Sequence, residues 1–400
     1  MTTVQEAETL ICEHMQTAPI ERVSLEAAAG RVLRGTVHSE RDLPPFDRVT
    51  MDGIAISSQS WLNGQREFRI AAVQAAGAAA TTCPASDCCI RVMTGAMRPE
   101  GTDAVIPFER LEVKGELAIV DDDAEVETGR YIHPQGSDRR QNDVVLEPGV
   151  RIGPAETAVL ASAGHAEVAT SRPYRIAVVS TGDELVAVNA PAIETFQIRS
   201  SNDIAIAAGL ELAALGSCTR ATLPDIPDEI LSSISALHQQ HDILILSGGV
   251  SMGDFDFVPA VLESLNAKVV FHRIAQKPGK PMWFGVSGAG KPIFALPGNP
   301  VSTLLCLTRY VLPALRQAAG LLARPAETAR LTRDVEGPAN LSYFVPVVLQ
   351  WSATGTELAE PRPTNTSGDF SSLAATDGFI ELPPGQAVRK AGGPGRIYRW

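Results

Sequence analysis

Residues 242–256 read Asp-Ile-Leu-Ile-Leu-Ser-Gly-Gly-Val-Ser-Met-Gly-Asp-Phe-Asp, an apolar run that empties into a turn rich in glycine, serine and aspartate. Gly248, Gly249 and Gly253 can take positive φ and bare successive amides, which together form a concavity for phosphate or another oxyanion. Ser247 and Ser251 add hydroxyls to the same turn. Asp254 and Asp256 do not hold an anion by themselves. A divalent cation bridging carboxylate and phosphate reconciles them, and magnesium, which keeps its waters and takes few protein oxygens, suits best. A plain strand-to-helix turn with Asp256 as the N-cap is the other reading of this run in isolation.

Comparable loops follow the neighbouring apolar runs: Ser180-Thr181-Gly182-Asp183-Glu184-Leu185, Leu223-Pro224-Asp225, Gln276-Lys277-Pro278-Gly279-Lys280-Pro281 and Leu296-Pro297-Gly298-Asn299-Pro300-Val301-Ser302. In an open α/β sheet ligands bind beyond the carboxyl ends of the strands, so these loops converge on one rim. Each has an ordinary explanation alone, with Asp183 or Asn299 as a cap, Pro300 as a first helical residue and the lysines solvated. Together they set two lysines, glycine amides and a helix N-terminus beside Asp183, Glu184, Asp225, Asp254 and Asp256. That mixture suits a phosphorylated ligand, a metal ion and a further oxyanion. No GxGxxG follows the first strand and no GxxxxGK[ST] occurs, which argues against dinucleotide hydride transfer and a Walker loop. Two earlier polar turns, Asp52-Gly53 within Pro44–Ala55 and Met93-Thr94-Gly95-Ala96, are explained by turn structure unless a second protomer brings them to the rim.

The elements that must position these residues follow from periodicity. Residues 2–17 predict an amphipathic helix stopped by Pro19, and 20–46 short extended pieces. Many short β-like stretches punctuated by glycine, proline and acidic turns predict a β-rich domain over 47–140. Residues 141–172 are mixed and include a helix over 156–163, so the β-rich domain is inserted between two parts of one linker region, 1–46 and 141–172. From 173 to 324 strands at 174–180, 217–223, 243–246, 269–273, 282–286 and 292–296 alternate with helices at 202–215, 228–239, 257–265 and 301–319. This predicts a doubly wound, mostly parallel sheet. Residues 325–400 turn to β again, and a small barrel or sandwich closes the chain.

The bulk numbers agree with a multidomain globular protein. Four hundred residues exceed one ordinary core, and 44% hydrophobic with 20% charged residues is a globular composition. A net charge of −12 argues against a general nucleic-acid or membrane-surface binder, so an anionic ligand must be captured locally. No signal pattern and no long apolar segment is present, which predicts a cytoplasmic location. Cys12, Cys218 and Cys306 read as reduced thiols among apolar neighbours, and Cys83, Cys88 and Cys89 as structural rather than metal-binding.

The strings PPFDRVTMDGIA, MTGAMRPEGTDAVI, STGDEL, SGGVSMGDFD, KPGKP and LPGNPVS, in this order, give the chain a resemblance to the molybdopterin molybdenumtransferases, the MoeA family that includes the gephyrin E domain. The resemblance implies an elongated linker region, an inserted β-rich domain, a molybdopterin-binding α/β domain and a C-terminal β-barrel. It implies a homodimer whose active site joins the α/β rim of one subunit to the inserted domain of the other, with a molybdopterin adenylyltransferase and molybdoenzyme-maturation proteins as further partners. The implied activity is ligation of molybdate to the dithiolene of adenylylated molybdopterin, with release of AMP and assistance from magnesium. By position, Asp52, Thr94, Glu184, Asp225, Asp256, Lys277 and Lys280 would be catalytic, with Glu184 and Asp256 on the metal. Asp138, Arg273, Ser367 and Ser371 would join Thr181, Gly182, Asp183, Ser247, Gly248, Gly249, Ser251, Gly253, Pro297, Gly298, Asn299 and Ser302 in binding substrate. The chain departs from the family pattern at Thr50, Ile54, Ser200 and Arg273, and no arginine occurs in Tyr343-Phe344-Val345-Pro346. A molybdopterin adenylyltransferase and a non-catalytic binding or scaffold protein are the alternative readings.

Overall fold

The computed structural model describes residues 1–248 and 258–400, and for 258–260 the backbone alone. The chain divides into two compact units, one of residues 1–34, 148–153 and 168–400, the other of 35–147 and 154–167.

The larger unit is built on a six-stranded sheet. Its elements are β1 (Tyr174–Thr181), α1 (Asn202–Ala213), β2 (Gly216–Leu223), α2 (Pro227–Gln240), β3 (Ile243–Ser247), α3 (Val258–Ser264), β4 (Lys268–His272), β5 (Trp283–Val286), β6 (Pro292–Leu296) and α4 (Pro300–Cys306). The strand order is β2-β1-β3-β6-β5-β4. β2, β1, β3 and β6 pair in parallel, and β5 pairs antiparallel with both β6 and β4. Two reversals return β4 to the direction of the parallel strands, so the loop after it leaves the same edge as theirs. Alternate residues of the central strands enter two cores. Ile176, Val178, Ile243, Ile245 and Phe294 pack with α1 and α4, while Ala177, Val179, Leu244, Leu246 and Ala295 pack with α2. A sheet covered on both faces accounts for the uninterrupted apolar reading of β3.

α4 continues through a π-turn at Leu307–Val311 into α5 (Leu312–Ala318). The whole stretch is nearly apolar all round and buried, as a helix inside a core should be. The helix Val4–His14 opens on a capping box between Thr3 and Glu6 and sends Val4, Ala7 and Ile11 into the same core.

Beyond the sheet, β7 (Thr328–Leu331), β8 (Ser342–Trp351), β9 (Glu357–Pro361), β10 (Gly378–Leu382) and β11 (Pro394–Arg399) are hydrogen-bonded in the order β8-β9-β7-β11-β10, and β10 pairs back onto β8. The sheet is thereby a closed barrel, filled by Ala329, Leu331, Val345, Val347, Ala359, Ile380 and Ile397. Closure removes the exposed edges that an open sheet leaves.

The second unit carries a six-stranded sheet in the order Ala104–Pro107, Gly53–Ile56, Cys88–Val92, Glu67–Gln74, Leu117–Val120, Leu111–Lys114, with Ile54, Ile56, Trp61, Phe68, Cys89 and Ile106 in its core. Gly53 is required here by space, because a Cβ would lie 1.9 Å from the Ile106 carbonyl oxygen. The longer of two helices in this unit spans Pro154–Ser162, close to the 156–163 predicted, and the shorter spans Ser58–Leu62.

Candidate functional site

The carboxyl edge of the α/β sheet has an acidic end and a basic end. At the acidic end β1 delivers Thr181, Gly182, Asp183 and Glu184, and β2 delivers Asp225. The two loops are tied together, since the Asp225 N–H donates to Asp183 Oδ1 at 2.9 Å. Asp183 is therefore a cross-loop acceptor, which fixes the spacing of the acidic loops. The Glu184 carboxylate lies over Gly182, where a Cβ would come within 2.6 Å of an oxygen. Burial raises the Asp225 carboxyl above its usual range, and the charges of Asp183 and then Glu184 push the same way. Among the described residues these carboxylates do not gather into a group of three that could hold a metal ion, and Asp256 lies outside the described residues.

Between the two ends the strand termini close on one another. Gly248, at φ 93°, stands where a Cβ would meet the Thr181 carbonyl oxygen at 2.9 Å, and a Cβ on Gly298 would contact Gly248 Cα at 3.5 Å. Asn202 Nδ2 donates to Ser247 Oγ at 3.0 Å and to the Gly298 carbonyl at 2.7 Å, bridging the ends of β3 and β6. Ser247 and Gly248 thus line up with Thr181 and Gly298. Gly249, Ser251, Gly253, Asp254 and Asp256 lie outside the described residues.

At the basic end Lys277, Lys280, Pro297, Asn299, Ser302 and Ser367 border a cavity of about 410 Å³, whose far wall is Leu341, Tyr343, Phe344 and Pro346 from β8 and its approach. Gln276–Lys277 pairs in parallel with Ser342–Tyr343, which draws the lysine loop against the barrel. The Lys277 ammonium stands 5.8 Å from the centre of the Tyr343 ring, a cation–π contact. Asn299 caps α4 by its backbone conformation, while its side chain donates to Ser367 Oγ at 2.7 Å and the Val301 N–H donates to the Ser367 carbonyl at 3.1 Å. Ser302 is buried at the cavity wall. Two cations with amide and hydroxyl donors make a receptor for a compact dianion.

Other residues singled out by sequence lie away from the cavity wall. Ser371 turns its hydroxyl to Asp369 Oδ1 at 2.8 Å, and Arg273, left-handed at φ 72°, follows β4 and pairs its N–H with the Met282 carbonyl. Ser200 donates to Asp203 Oδ1 at 2.7 Å, and Asp203 in turn accepts from Arg220 at 2.8 Å. In the second unit, Asp52 Oδ1 accepts from the Thr94 N–H at 2.6 Å and the Thr94 hydroxyl at 2.7 Å. Those bonds, the backbone one first, hold the Asp52 carboxyl below its usual range. Asp138 in the same unit lies 3.0 Å from His133 Nε2, and Arg48 lies 3.2 Å from His133 Nδ1. Arginine only donates, so Nδ1 accepts and the Nε2 proton points at Asp138. His133 was not anticipated from sequence; neither were Gln276 and Tyr310, whose roles are taken up below.

Comparison with known proteins matches three successive regions of the chain. Residues 2–164 match the MoeA N-terminal region (domain I and II), 177–317 a probable molybdopterin binding domain, and 328–394 the MoeA C-terminal region (domain IV). A molybdopterin molybdenumtransferase from Synechocystis is 35% identical over the whole of both chains. One from Bacillus subtilis is 32% identical over 97% of this chain and 92% of its own length. A crystal structure of the molybdopterin biosynthesis MoeA protein from Pyrococcus horikoshii superposes with a TM-score of 0.83 at 28% identity, covering all of this chain and 99% of that one. Sheet order, barrel and the three matched regions define a multidomain α/β protein with a molybdopterin-binding type of domain at its centre. The chain belongs to the molybdopterin molybdenumtransferase family.

Proposed function

We propose that this protein inserts molybdate into the dithiolene of adenylylated molybdopterin and releases AMP. The observation that carries the reading is the cavity bordered by Lys277, Lys280, Ser302 and Ser367, at the opposite end of the rim from the carboxylates. In the insertion, molybdate loses one oxygen as water with the two thiol protons and gains two sulfur ligands, with no change of oxidation state. The anhydride takes up water and yields AMP. Lys277 and Lys280 neutralise the dianion, and Ser302 and Ser367 orient it by donating hydrogen bonds. Glu184 and Asp256 would hold magnesium, which would supply charge neutralisation at the anhydride when bound.

The division into a linker region (1–46 and 141–172), an inserted domain (47–140), an α/β domain (173–324) and a barrel (325–400) belongs to the same proposal. So does a homodimer in which Asp52, Thr94 and Asp138 of one subunit complete the rim of the other. Purified protein given adenylylated molybdopterin, molybdate and magnesium will release AMP and yield a cofactor that activates an apo-molybdoenzyme. Lys280→Ala will lower kcat/KM for molybdate by roughly 100-fold, the scale of a lost charge-stabilising group. No AMP above background from the unaltered protein overturns the proposal.

A further inference from the structure

Beneath the lysine loop lies a polar group that no part of the chemistry above uses. Gln276, the residue before Lys277, is fully buried and meets Cys306 and Tyr310, two members of the apolar core of the larger unit. Its Oε1 accepts from the Tyr310 hydroxyl, and its Nε2 faces Cys306 Sγ at 3.8 Å. Tyr310 is itself 2% exposed, and burial raises its hydroxyl far above the ordinary range, so it remains a donor. The amide also serves as the floor of the loop. Gly279 sits at φ 82°, and a Cβ there would lie 2.7 Å from Gln276 Nε2 and 3.0 Å from Cys306 Sγ. The segment from Lys277 to Lys280 is therefore laid directly on the Gln276 side chain.

Tyr310 and Cys306 reach that amide from one face of the helix that runs through the π-turn. In an unbroken α-helix from Pro300 to Ala318, Cys306 and Tyr310 are one turn apart on one face. Within the π-turn at Leu307–Val311 the adjacent Arg309 pairs with Glu8 and Glu381 while Tyr310 faces the loop. Insertions of this kind concentrate at functional sites. The residue following the anchored amide carries the ammonium that stands against Tyr343.

We propose that Tyr310, acting through Gln276, is a positioning residue for the molybdate lysines, fixing the backbone from which Lys277 and Lys280 enter the cavity. The inference rests on the insertion reading above. It differs from a purely structural role in what it controls, since a tilted loop moves two cations relative to their anion. The substitution Tyr310→Phe deletes one oxygen and leaves a buried Gln276 carbonyl without its donor. Gln276→Met removes the amide at similar volume.

The test is steady-state AMP release from adenylylated molybdopterin by the full chain, with molybdate varied and magnesium fixed, alongside thermal melting. Each single variant will raise KM for molybdate about tenfold, with kcat at saturating molybdate and KM for the pterin changed less than about twofold. The double variant will be no worse than the more impaired single, because both changes cut the same link. Lower melting temperatures with an unchanged KM for molybdate would assign the pair to stability alone and overturn the proposal, as would KM effects that multiply. Absence of AMP release by the unaltered protein would instead defeat the insertion reading on which the proposal depends.

Discussion

Asp52 accepts both the N–H and the hydroxyl of Thr94 on one oxygen while remaining exposed. The pair keeps the carboxylate ionised and aimed. In Thr94→Val the hydroxyl donor is lost but the backbone donor stays, so the Asp52 carboxyl will titrate at higher pH. A site that uses ionised Asp52 will then show the acid limb of its kcat/KM profile displaced upward, with little change in melting temperature. Carboxyl NMR titration of Asp52 beside the rate profile checks this, and an unmoved limb would remove Asp52 from the chemistry. That the loops after β1, β2, β3 and β6 leave one edge of the sheet was legible in sequence, because runs rich in glycine and aspartate directly follow the apolar strands. Gln276 and Tyr310 were not, since a glutamine beside a KPGKP loop and a tyrosine in an apolar helix carry no signal until the helix is known to be wholly buried. Arg309 did carry one. A cation in a helix that is apolar all round must be enclosed and paired.

The strands that carry the rim are fastened at their opposite ends by Asp242. Its carboxylate accepts from the Arg175 N–H at 2.9 Å, from the Arg175 guanidinium at 3.0 Å and from Arg172 at 3.1 Å, joining the starts of β1 and β3. Burial alone would raise this carboxyl, but the arginine and backbone hydrogen bonds outweigh it and hold it at about 2. A depressed carboxylate stabilises the folded state fully above its unfolded value, near 4, and the contribution fades as pH falls toward the folded value. The melting-temperature gap between the unaltered protein and Asp242→Asn will therefore be widest above about pH 5 and shrink as pH falls toward about 2. A pH-independent gap would mean that packing, not charge, is the clamp. At this scale sequence periodicity located the strands and helices closely. It did not predict that β5 runs against its neighbours, because an apolar run reads the same in either direction. Nor did it predict the π-turn, which shifts the helical phase without altering composition.

For the whole molecule, the sharpest consequence of the proposed homodimer concerns complementation. If Asp52 of one subunit completes the rim of the other, Asp52→Asn and Lys280→Ala chains are each inactive alone. In a randomly reassorted mixture half of the dimers are hybrids, and each hybrid keeps one unaltered site. Co-refolded or co-expressed chains will recover about a quarter of the unaltered activity. No recovery would place every site within a single subunit. Barrel closure was left open by the sequence as a barrel or a sandwich, because the pairing of β10 with β8 joins residues far apart in the chain and leaves no local trace.

Arg309, 1% exposed, shares its guanidinium between Glu8 and Glu381, while Tyr398 covers it and also donates to Glu381. One counter-ion lies 301 residues before Arg309 in the sequence and the other 72 residues after it. Until both segments are in place, the helix contains a cation missing an acidic partner, at a cost of about 3–5 kcal/mol for a broken buried pair. The pairing thereby makes the stability of this helix depend on two segments distant in sequence, so loss of either one exposes the larger unit to local opening and proteolysis.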